Sequence, residues 1–235
     1  MKNHDLHTHT NYSDGVHSPE KLITIAKDRD VEILGFSDHL FNRFISPEQT
    51  DFYLKKISEY ISTLQILKNQ NNDCIDIKIG AEVDFSERHG VSTEKLPFDL
   101  FNKLDYILFE NMDFAPKLGK SLYELIKIRD KLEIPVGLAH YDMQNVWQGK
   151  ENEIAKRLSE NDFFVELNVA ESGSKMRNGK YFFEHFSKKM IEELVEKSVK
   201  FTMGSDSHYG WKLGHVKEAY DFILKHNLEV LDIVK

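Results

Sequence analysis

Short apolar runs alternate with longer amphipathic segments along almost the whole chain. The apolar runs have the length and the β-branched content of buried strands. We predict seven strands, over residues 2–8, 31–38, 75–85, 105–110, 135–140, 163–169 and 200–205. Because helical segments separate them and no antiparallel hairpin signal is visible, the pattern predicts a parallel α/β fold.

Helices are predicted by apolar residues at helical spacing, as in Ile57, Ile61 and Leu64. The first begins at Ser18, a capping residue followed by Pro19, and ends near Asp30. The others cover residues 47–68, 93–102, 121–132, 151–160, 181–197 and 212–226, and residues 227–235 can add one short turn. No Gly- or Pro-rich linker and no short repeat divides the chain, so a single domain over residues 1–235 is predicted.

Composition narrows the class of protein. A chain of 235 residues has the size of a single α/β barrel and can bury a large core without disulfides. Its one cysteine, Cys74, excludes an intramolecular disulfide and fits a reducing compartment. His4 and Asp5 stand where a secretory signal needs an apolar run, and no window reaches transmembrane length. We therefore expect a cytoplasmic protein without a membrane partner.

The first predicted strand carries an unusual pair of histidines. Alternate residues of a strand face the same side, so Asp5, His7 and His9 are expected to point together. By strand rise, His7 and His9 lie about 7 Å apart along the strand and can share one metal ion. A His-x-His pair alone is weak support for a metal site, so the remaining ligands have to come from elsewhere in the chain.

Other predicted strands also end in histidines and carboxylates. Chemistry in α/β barrels lies at the C-terminal ends of the strands, and five of the eleven histidines fall there. Each one alone can be explained as a hydrogen-bonded buried histidine or a helix cap, but five at one face favour a shared metal site. The candidate ligands are His7, His9, Asp14, His39, Glu82, His140, Asp206 and His208.

The chemistry of this set favours zinc, manganese or iron. Imidazole and carboxylate groups without any thiolate suit these ions better than a structural zinc site. Eight ligands exceed the needs of one tetrahedral ion, so two or three divalent ions are expected, and the Glu82 carboxylate can bridge two of them. Closely spaced ions acidify a bound water and stabilise an anionic transition state, which predicts hydrolysis, most naturally of a phosphate ester.

The ordered motifs resemble those of the polymerase-and-histidinol-phosphatase (PHP) superfamily. The resemblance spans nearly the whole chain and rests on His7-Thr8-His9, Ser37-Asp38-His39, Gly80-Ala81-Glu82, Ala139-His140 and residues 204–208. Residues 165–168, followed by Ser172-Gly173 and Lys175 or Arg177, are similar to the histidinol-phosphatase branch. The resemblance implies a distorted seven-stranded TIM-like barrel, two or three divalent ions, and histidinol phosphate as the leading substrate candidate, within histidine biosynthesis.

Position by position, the resemblance also implies a role for each ligand. The first ion would be held by His7, His9, Glu82 and Asp206, the second by Glu82 and His140, and the third by Asp14, His39 and His208. Catalytic roles fall to Glu82, Asp206 and His208.

The predicted fourth strand departs from the family pattern. Members of the family often end this strand with a histidine that completes the second ion's shell, and residues 107–113 contain none. Met112 falls nearest to the expected position. Glu110, Asn111 or Asp113 can substitute for the histidine, or the second ion is weakly held.

Substrate contacts are predicted in the loops after the strands. A phosphate dianion needs charge-assisted donors, and Lys175, Arg177 and Arg43 occupy such loops, with His17 close behind Asp14. Asp84 shares a strand face with Glu82 and is expected to support the ligands rather than bind an ion.

Three functions fit these patterns. The first is a metal-dependent phosphomonoesterase for a small phosphorylated metabolite. The second is a phosphodiesterase, exonuclease or nucleotide phosphatase of the same superfamily; the net charge of −8 opposes non-specific affinity for nucleic acid, although it permits an anionic small substrate beside bound cations. The third is a catalytically weak metal-binding regulatory module. The oligomeric state is left open.

Overall fold

Parallel strands connected by helices form the framework of the protein, as predicted. The computed structural model describes residues 1–40, 50–87, 96–172 and 175–235, without the side chains of 50–53. Its strand segments are β1 (His4–Asp5), β2 (Ile33–Phe36), β3 (Asp76–Ile79), β4 (Glu82–Asp84), β5 (Ile107–Glu110), β6 (Val136–Leu138), β7 (Phe163–Asn168), β8 (Met176–Arg177), β9 (Lys180–Tyr181), β10 (Lys200–Gly204) and β11 (Glu229–Val230).

The strands form three sheets. One has the order β1-β2-β3 and the largest has the order β11-β10-β7-β6-β5-β4; both are parallel throughout. The third is the antiparallel pair β8-β9. The main sheets therefore have the parallel α/β organisation that the strand–helix alternation predicts.

Helices separate most of the strands. They are α1 (Pro19–Asp28), α2 (Thr50–Asn71), α3 (Phe98–Phe101), α4 (Leu122–Ile126), α5 (Met143–Val146), α6 (Glu151–Glu160), α7 (Lys188–Glu196) and α8 (Lys217–His226). Helix α1 begins where predicted, because the Ser18 side chain caps the helix by accepting from the Lys21 amide. Within the described residues, no helix combines the length and the apolar character needed to cross a membrane.

The predicted count of seven strands is wrong for the described residues, which contain eleven strand segments. The predicted strand over 75–85 is divided between two sheets at Gly80 and Ala81. Gly80 lies so close to the Tyr106 ring that a Cβ atom would come within 2.2 Å of it. The chain then continues as β4, which pairs with β5 rather than with β2.

The prediction that the chain contains no antiparallel hairpin is also wrong. Strands β8 and β9 pair across Asn178 and Gly179, which both have positive φ angles, of 51° and 72°. Asn-Gly is the dipeptide that favours such a two-residue turn. The signal was therefore present in the sequence, within a segment predicted only as a loop.

Several predicted helices are shorter than expected. Residues 121–132 form α4 and then a separate 3₁₀ turn at Arg129–Lys131, and α7 begins only after its cap, Ser187. The last helix begins at Lys217 instead of 212. Gly214 adopts a positive φ of 77° and donates its amide to Asp5, which stops a helix from extending back through it. Residues 47–49 and 93–95, predicted as helix, lie outside the described residues.

Backbone contacts connect the two parallel sheets. Next to β1, the Leu6 amide donates to the Met203 carbonyl at 2.9 Å, and Thr8 pairs in parallel with Ser207. Beyond β2, His39 pairs in parallel with Glu82. The segments that follow β1, β2 and β10 therefore lie beside the start of β4, which gathers their polar residues in one place.

A small cluster of buried hydrophobic residues packs where the two parallel sheets meet. It contains Leu6, Ile33, Tyr106, Leu108, Ala139, Phe164, Leu231 and Val234. The buried Tyr106 hydroxyl donates to the Leu6 carbonyl at 2.5 Å and lies 2.7 Å from the Ser37 hydroxyl. These bonds fix the backbone just before the histidines that follow β1 and β2.

Candidate metal centre

The structure brings all eight predicted ligands into one cluster. His7 and His9 follow β1, Asp14 lies in the next turn, His39 follows β2, Glu82 begins β4, His140 follows β6, and Asp206 and His208 follow β10. His140 and Asp206 have positive φ angles, of 32° and 51°. Residues other than glycine adopt this conformation rarely, and it clusters at functional sites.

Four side chains converge on one region of the cluster. The Nε2 atoms of His7 and His9 lie 3.1 Å apart, and each of them lies 3.2 to 3.7 Å from Glu82 Oε2 and from Asp206 Oδ1. Ligands about 2.0–2.2 Å from a tetrahedral ion are separated by about 3.3–3.6 Å. These four side chains are the set that the resemblance assigns to the first ion, and their spacing fits an ion.

A second carboxylate orients the His7 ring. Nδ1 of His7 lies 2.6 Å from Oε1 of the buried Glu166. With the Nδ1 proton donated to Glu166, Nε2 is free to bind an ion, an arrangement common for metal-binding histidines. Burial alone would lower the pKa of His7, but the carboxylates of Glu166 and Glu82 outweigh it and raise that pKa to about 10. The cluster thus attracts a positive charge, which a proton or a metal ion can supply.

Asp14 lies at the centre of a second group. Its carboxylate lies 3.2 Å from His208 Nε2, and 3.8 Å from both His9 Nδ1 and His39 Nε2. These four residues can all place a ligand atom within 4.8 Å of one another. A neutral imidazole has one acceptor nitrogen, so His9 can bind an ion in only one of its two groups. With His9 in the first group, Asp14, His39 and His208 remain, as the resemblance implies for the third ion.

Glu82 and Glu110 both lie near the imidazole rings of His39 and His140. Glu82 Oε1 is 2.9 Å from His140 Nε2, while Glu110 approaches both His39 and His140, at 3.5 and 3.8 Å. Burial, together with the negative charges of Glu82 and Asp84, raises the pKa of Glu110 to about 8. Burial also opposes ionisation of Glu82, but the charges of His7 and His39 outweigh it and hold the pKa of Glu82 well below its usual value.

Unpartnered polar atoms in the cluster show whether its residues fit a cation. Among the described residues, eight buried side-chain nitrogen or oxygen atoms have no hydrogen-bond partner. Half of them belong to the candidate ligands: His9 Nδ1, His39 Nδ1, Glu82 Oε2 and Asp206 Oδ1. Leaving buried polar atoms unpaired is costly, and the donor set suits a divalent ion, so the residues fit the metal that their chemistry predicts.

Three further carboxylates lie near the site. Asp5 accepts from the Ser205 amide and hydroxyl at 2.9 and 2.6 Å, and so does not join His7 and His9 as their alternation predicts. Asp38 accepts from Thr10 and Ser13, which fixes the turn that carries Asp14. Asp84 accepts from Asn111 at 3.0 Å, and its expected role in supporting the ligands stays a prediction.

The predicted substrate-binding residues lie in different surroundings. The Lys175 ammonium donates to Asp206 Oδ2, which brings it into the ligand cluster. Arg177 pairs with Asp142 at 3.1 Å, and Asp142 is the second residue after His140. His17 is partly buried near Gly210, and its side chain makes no hydrogen bond within the described residues. Arg43 lies outside the described residues.

A small cavity opens beside the cluster. It has a volume of about 120 Å³ and is lined by residues 111–114 and 139–142 with Asn145, Val146 and Phe182. A larger cavity of about 590 Å³ lies between α2 and α3, but none of the eight candidate ligands lines it. The smaller cavity includes His140 in its lining, so it adjoins the candidate ligands.

Comparisons with known proteins identify the fold and the family of the chain. The fold is similar to that of histidinol phosphate phosphatase (HISK) from Lactococcus lactis, solved with zinc, L-histidinol and phosphate: the TM-score is 0.67 at 18% identity, over 97% of this chain and 94% of that one. It is also similar to hisK from Listeria monocytogenes, a candidate histidinol phosphatase, with a TM-score of 0.63 at 18% identity over 92% and 99% of the two chains. No curated protein sequence matches. The PHP domain model matches residues 5–232, and the chain therefore belongs to the PHP domain family.

Proposed function

We propose that this protein is a metal-dependent phosphomonoesterase that acts on a small phosphorylated metabolite. The observation that carries the proposal is the cluster of five histidines with Glu82 and Asp206, in which four buried ligand atoms lack a hydrogen-bond partner among the described residues. Histidinol phosphate is the leading substrate candidate, because the similar Lactococcus protein was solved with histidinol and phosphate. Zinc, manganese or iron is the proposed cofactor, with two or three ions per chain.

Different residues of the chain would hold the ions and orient the ligands. When bound, the divalent ions supply an acidified water and positive charge beside the phosphate oxygens. His7, His9, Glu82 and Asp206 would hold the first ion, and Glu166 orients the His7 ring by accepting its Nδ1 proton. His208 lies at the solvent edge of the cluster, with a quarter of its side chain exposed, and its Nε2 atom lies 3.2 Å from Asp14, where the two would hold the third ion.

The small cavity would receive the organic part of the substrate. Asp113 and Asp142 lie in its lining, and their carboxylates suit a cationic group such as the amine of histidinol phosphate. One oxygen of Asp142 is buried and has no hydrogen-bond partner among the described residues. This feature favours an aminated phosphate monoester over a nucleic acid strand, which needs a long basic groove.

Three finer predictions also belong to this proposal. The parallel strands β1, β2, β3 with β4, β5, β6, β7 and β10 would close the distorted barrel, since backbone contacts join β1 to β10 and the end of β2 to β4. Counting β3 and β4 as one strand gives the seven strands that the resemblance implies. A cytoplasmic location and a role in histidine biosynthesis stay predictions from the sequence.

A substrate panel tests the proposed function. The protein, reconstituted with Mn²⁺ or Zn²⁺, is expected to release phosphate from histidinol phosphate or another small monoester with a much higher kcat/KM than from bis-p-nitrophenyl phosphate or a labelled oligonucleotide. Preferred cleavage of the diester or the oligonucleotide would instead identify the phosphodiesterase alternative. Absence of turnover on every substrate at full metal loading would favour the regulatory module.

Lys175 is expected to contact the substrate phosphate. Its ammonium pairs with Asp206, one of the candidate ligands, whereas Arg177 pairs with Asp142, which is not one of them. Lys175→Ala removes a charge-assisted contact of about 1.5–3 kcal/mol, so kcat/KM should fall about tenfold to a hundredfold. The inhibition constant of inorganic phosphate should rise as well, with metal content unchanged, because an ammonium group is not a ligand.

Arg177→Ala is the matched control, since it removes a cation from the same loop. We expect a smaller loss for this variant than for Lys175→Ala. If Lys175→Ala keeps full kcat/KM and unchanged inhibition by phosphate, the loop does not bind the anion, and Arg43 becomes the better candidate.

A further inference from the structure

Strand β5 brings a carboxylate, and no histidine, to the metal cluster. Glu110 is the last residue of β5, and it is almost completely buried. Two other polar residues follow it, but both have partners elsewhere: Asn111 donates to Asp84 at 3.0 Å, and Asp113 accepts from the Tyr141 hydroxyl at 2.7 Å. Glu110 is therefore the one of the three whose carboxylate approaches the candidate ligands.

Glu110 and Glu82 reach the same two imidazole rings. Glu82 Oε2 lies 3.0 Å from His39 Nδ1, and its Oε1 lies 2.9 Å from His140 Nε2. Glu110 places Oε1 at 3.5 Å from the same His39 atom and Oε2 at 3.8 Å from the same His140 atom. Two carboxylates thus face a shared space between two rings, and the repulsion between them is relieved either by a proton on one of them or by a cation between them.

The atoms that face this space provide a second observation. His39 Nδ1 and Glu82 Oε2 are buried and have no hydrogen-bond partner among the described residues. His39, Glu82 and Glu110 can also place one ligand atom each within 4.8 Å of one another. A cation held by the two carboxylates would satisfy the Glu82 oxygen. Because His39 Nε2 faces Asp14 at 3.8 Å, His140, which both carboxylates approach, is the imidazole that remains to complete the site.

We propose that Glu110 is a metal ligand and completes the site of a second divalent ion together with Glu82 and His140. This inference rests on the metal centre of the proposed function and deepens it. The site would have two carboxylates and one imidazole, whereas the first site has two imidazoles. Because carboxylate oxygens suit Mn²⁺ and imidazoles suit Zn²⁺, the second site is expected to favour Mn²⁺ more strongly than the first.

Metal titration of three variants tests this assignment without relying on activity. Glu110→Gln keeps the shape of the side chain but removes its charge. Glu110→His replaces the carboxylate by an imidazole, and Asp113→Asn is the matched control because it neutralises a nearby carboxylate that pairs with Tyr141. Each apoprotein is titrated with Mn²⁺ and with Zn²⁺, and bound ions are counted by elemental analysis and electron paramagnetic resonance.

We expect Glu110→Gln to weaken one class of Mn²⁺ site by more than about tenfold, since even residues behind a ligand change affinity by about 10–100-fold. The other sites should keep their affinity, Asp113→Asn should match the unmodified protein, and Glu110→His should restore the site with a shift towards Zn²⁺. Unchanged Mn²⁺ number and affinity in both Glu110 variants would overturn the assignment, as would an equal loss in Asp113→Asn. If the unmodified protein binds no ion, the failure lies with the proposed metal centre itself.

Discussion

Replacement of Glu82 by Gln is expected to remove nearly all phosphatase activity and to lower metal content at the same time. Glu82 Oε2 faces His7, His9 and His39, while its Oε1 faces His140, so one carboxylate serves two neighbouring groups of ligands. The amide of Gln carries no charge and offers a single acceptor oxygen. Several kcal/mol of transition-state stabilisation depend on the ions, so the rate should fall by at least about 10³-fold.

The measurement combines turnover with elemental analysis on the same sample of Glu82→Gln. Glu153→Gln is the matched control, because Glu153 lies on the surface of α6 and pairs with Arg157. It should keep both rate and metal content. A Glu82→Gln protein that binds metal at the original stoichiometry would show that this carboxylate does not bridge, and a retained rate would remove it from the catalytic residues.

Several candidate ligands could be predicted because they follow an apolar run directly. A strand of residues such as Val136 and Leu138 is recognisable from composition, and the polar residue that follows it must lie at the edge of the sheet. His140 and Asp206 were found in this way. A parallel fold brings the C-terminal ends of its strands together, so residues far apart in sequence were expected to lie close in space.

Residues that support the ligands were harder to predict. Glu166 contacts His7 across 159 positions of sequence, and Asp5 contacts Ser205 across 200. No local pattern indicates such contacts, since they depend on the packing of β1 against β10. Glu166 lies in a motif that carried the family resemblance, but its partner could be assigned only from the structure.

The division of the third predicted strand shows a different limit. Residues 75–85 have a continuous strand pattern, and the sequence contains no turn signal there except Gly80. The break follows from the buried Tyr106 ring, which occupies the space that a side chain at position 80 would need. This contact joins distant parts of the chain, so a local pattern of apolar residues cannot reveal it. The choice among Glu110, Asn111 and Asp113 was open for the same reason.

Removal of the ions is expected to lower the melting temperature of the protein by many degrees, in addition to its effect on activity. One oxygen of each of the buried carboxylates Glu82 and Asp206 has no hydrogen-bond partner among the described residues, so an ion bound only by the folded chain stabilises it directly. At a concentration a thousandfold above Kd, one ion contributes about 4 kcal/mol. For a domain of this size, about 2–4 °C of Tm corresponds to each kcal/mol, so each ion should raise Tm by about 8–16 °C.

The measurement is a melting curve of the chelator-treated protein before and after addition of Mn²⁺ or Zn²⁺, with NaCl at matched ionic strength as the control. The Glu82→Gln protein should show a much smaller increase, because its ligand groups are incomplete. Equal Tm values with and without the ions would mean that the cluster is satisfied by its internal hydrogen bonds and protons. The short contact of His7 with Glu166 would then belong to a proton-stabilised cluster rather than to a metal centre.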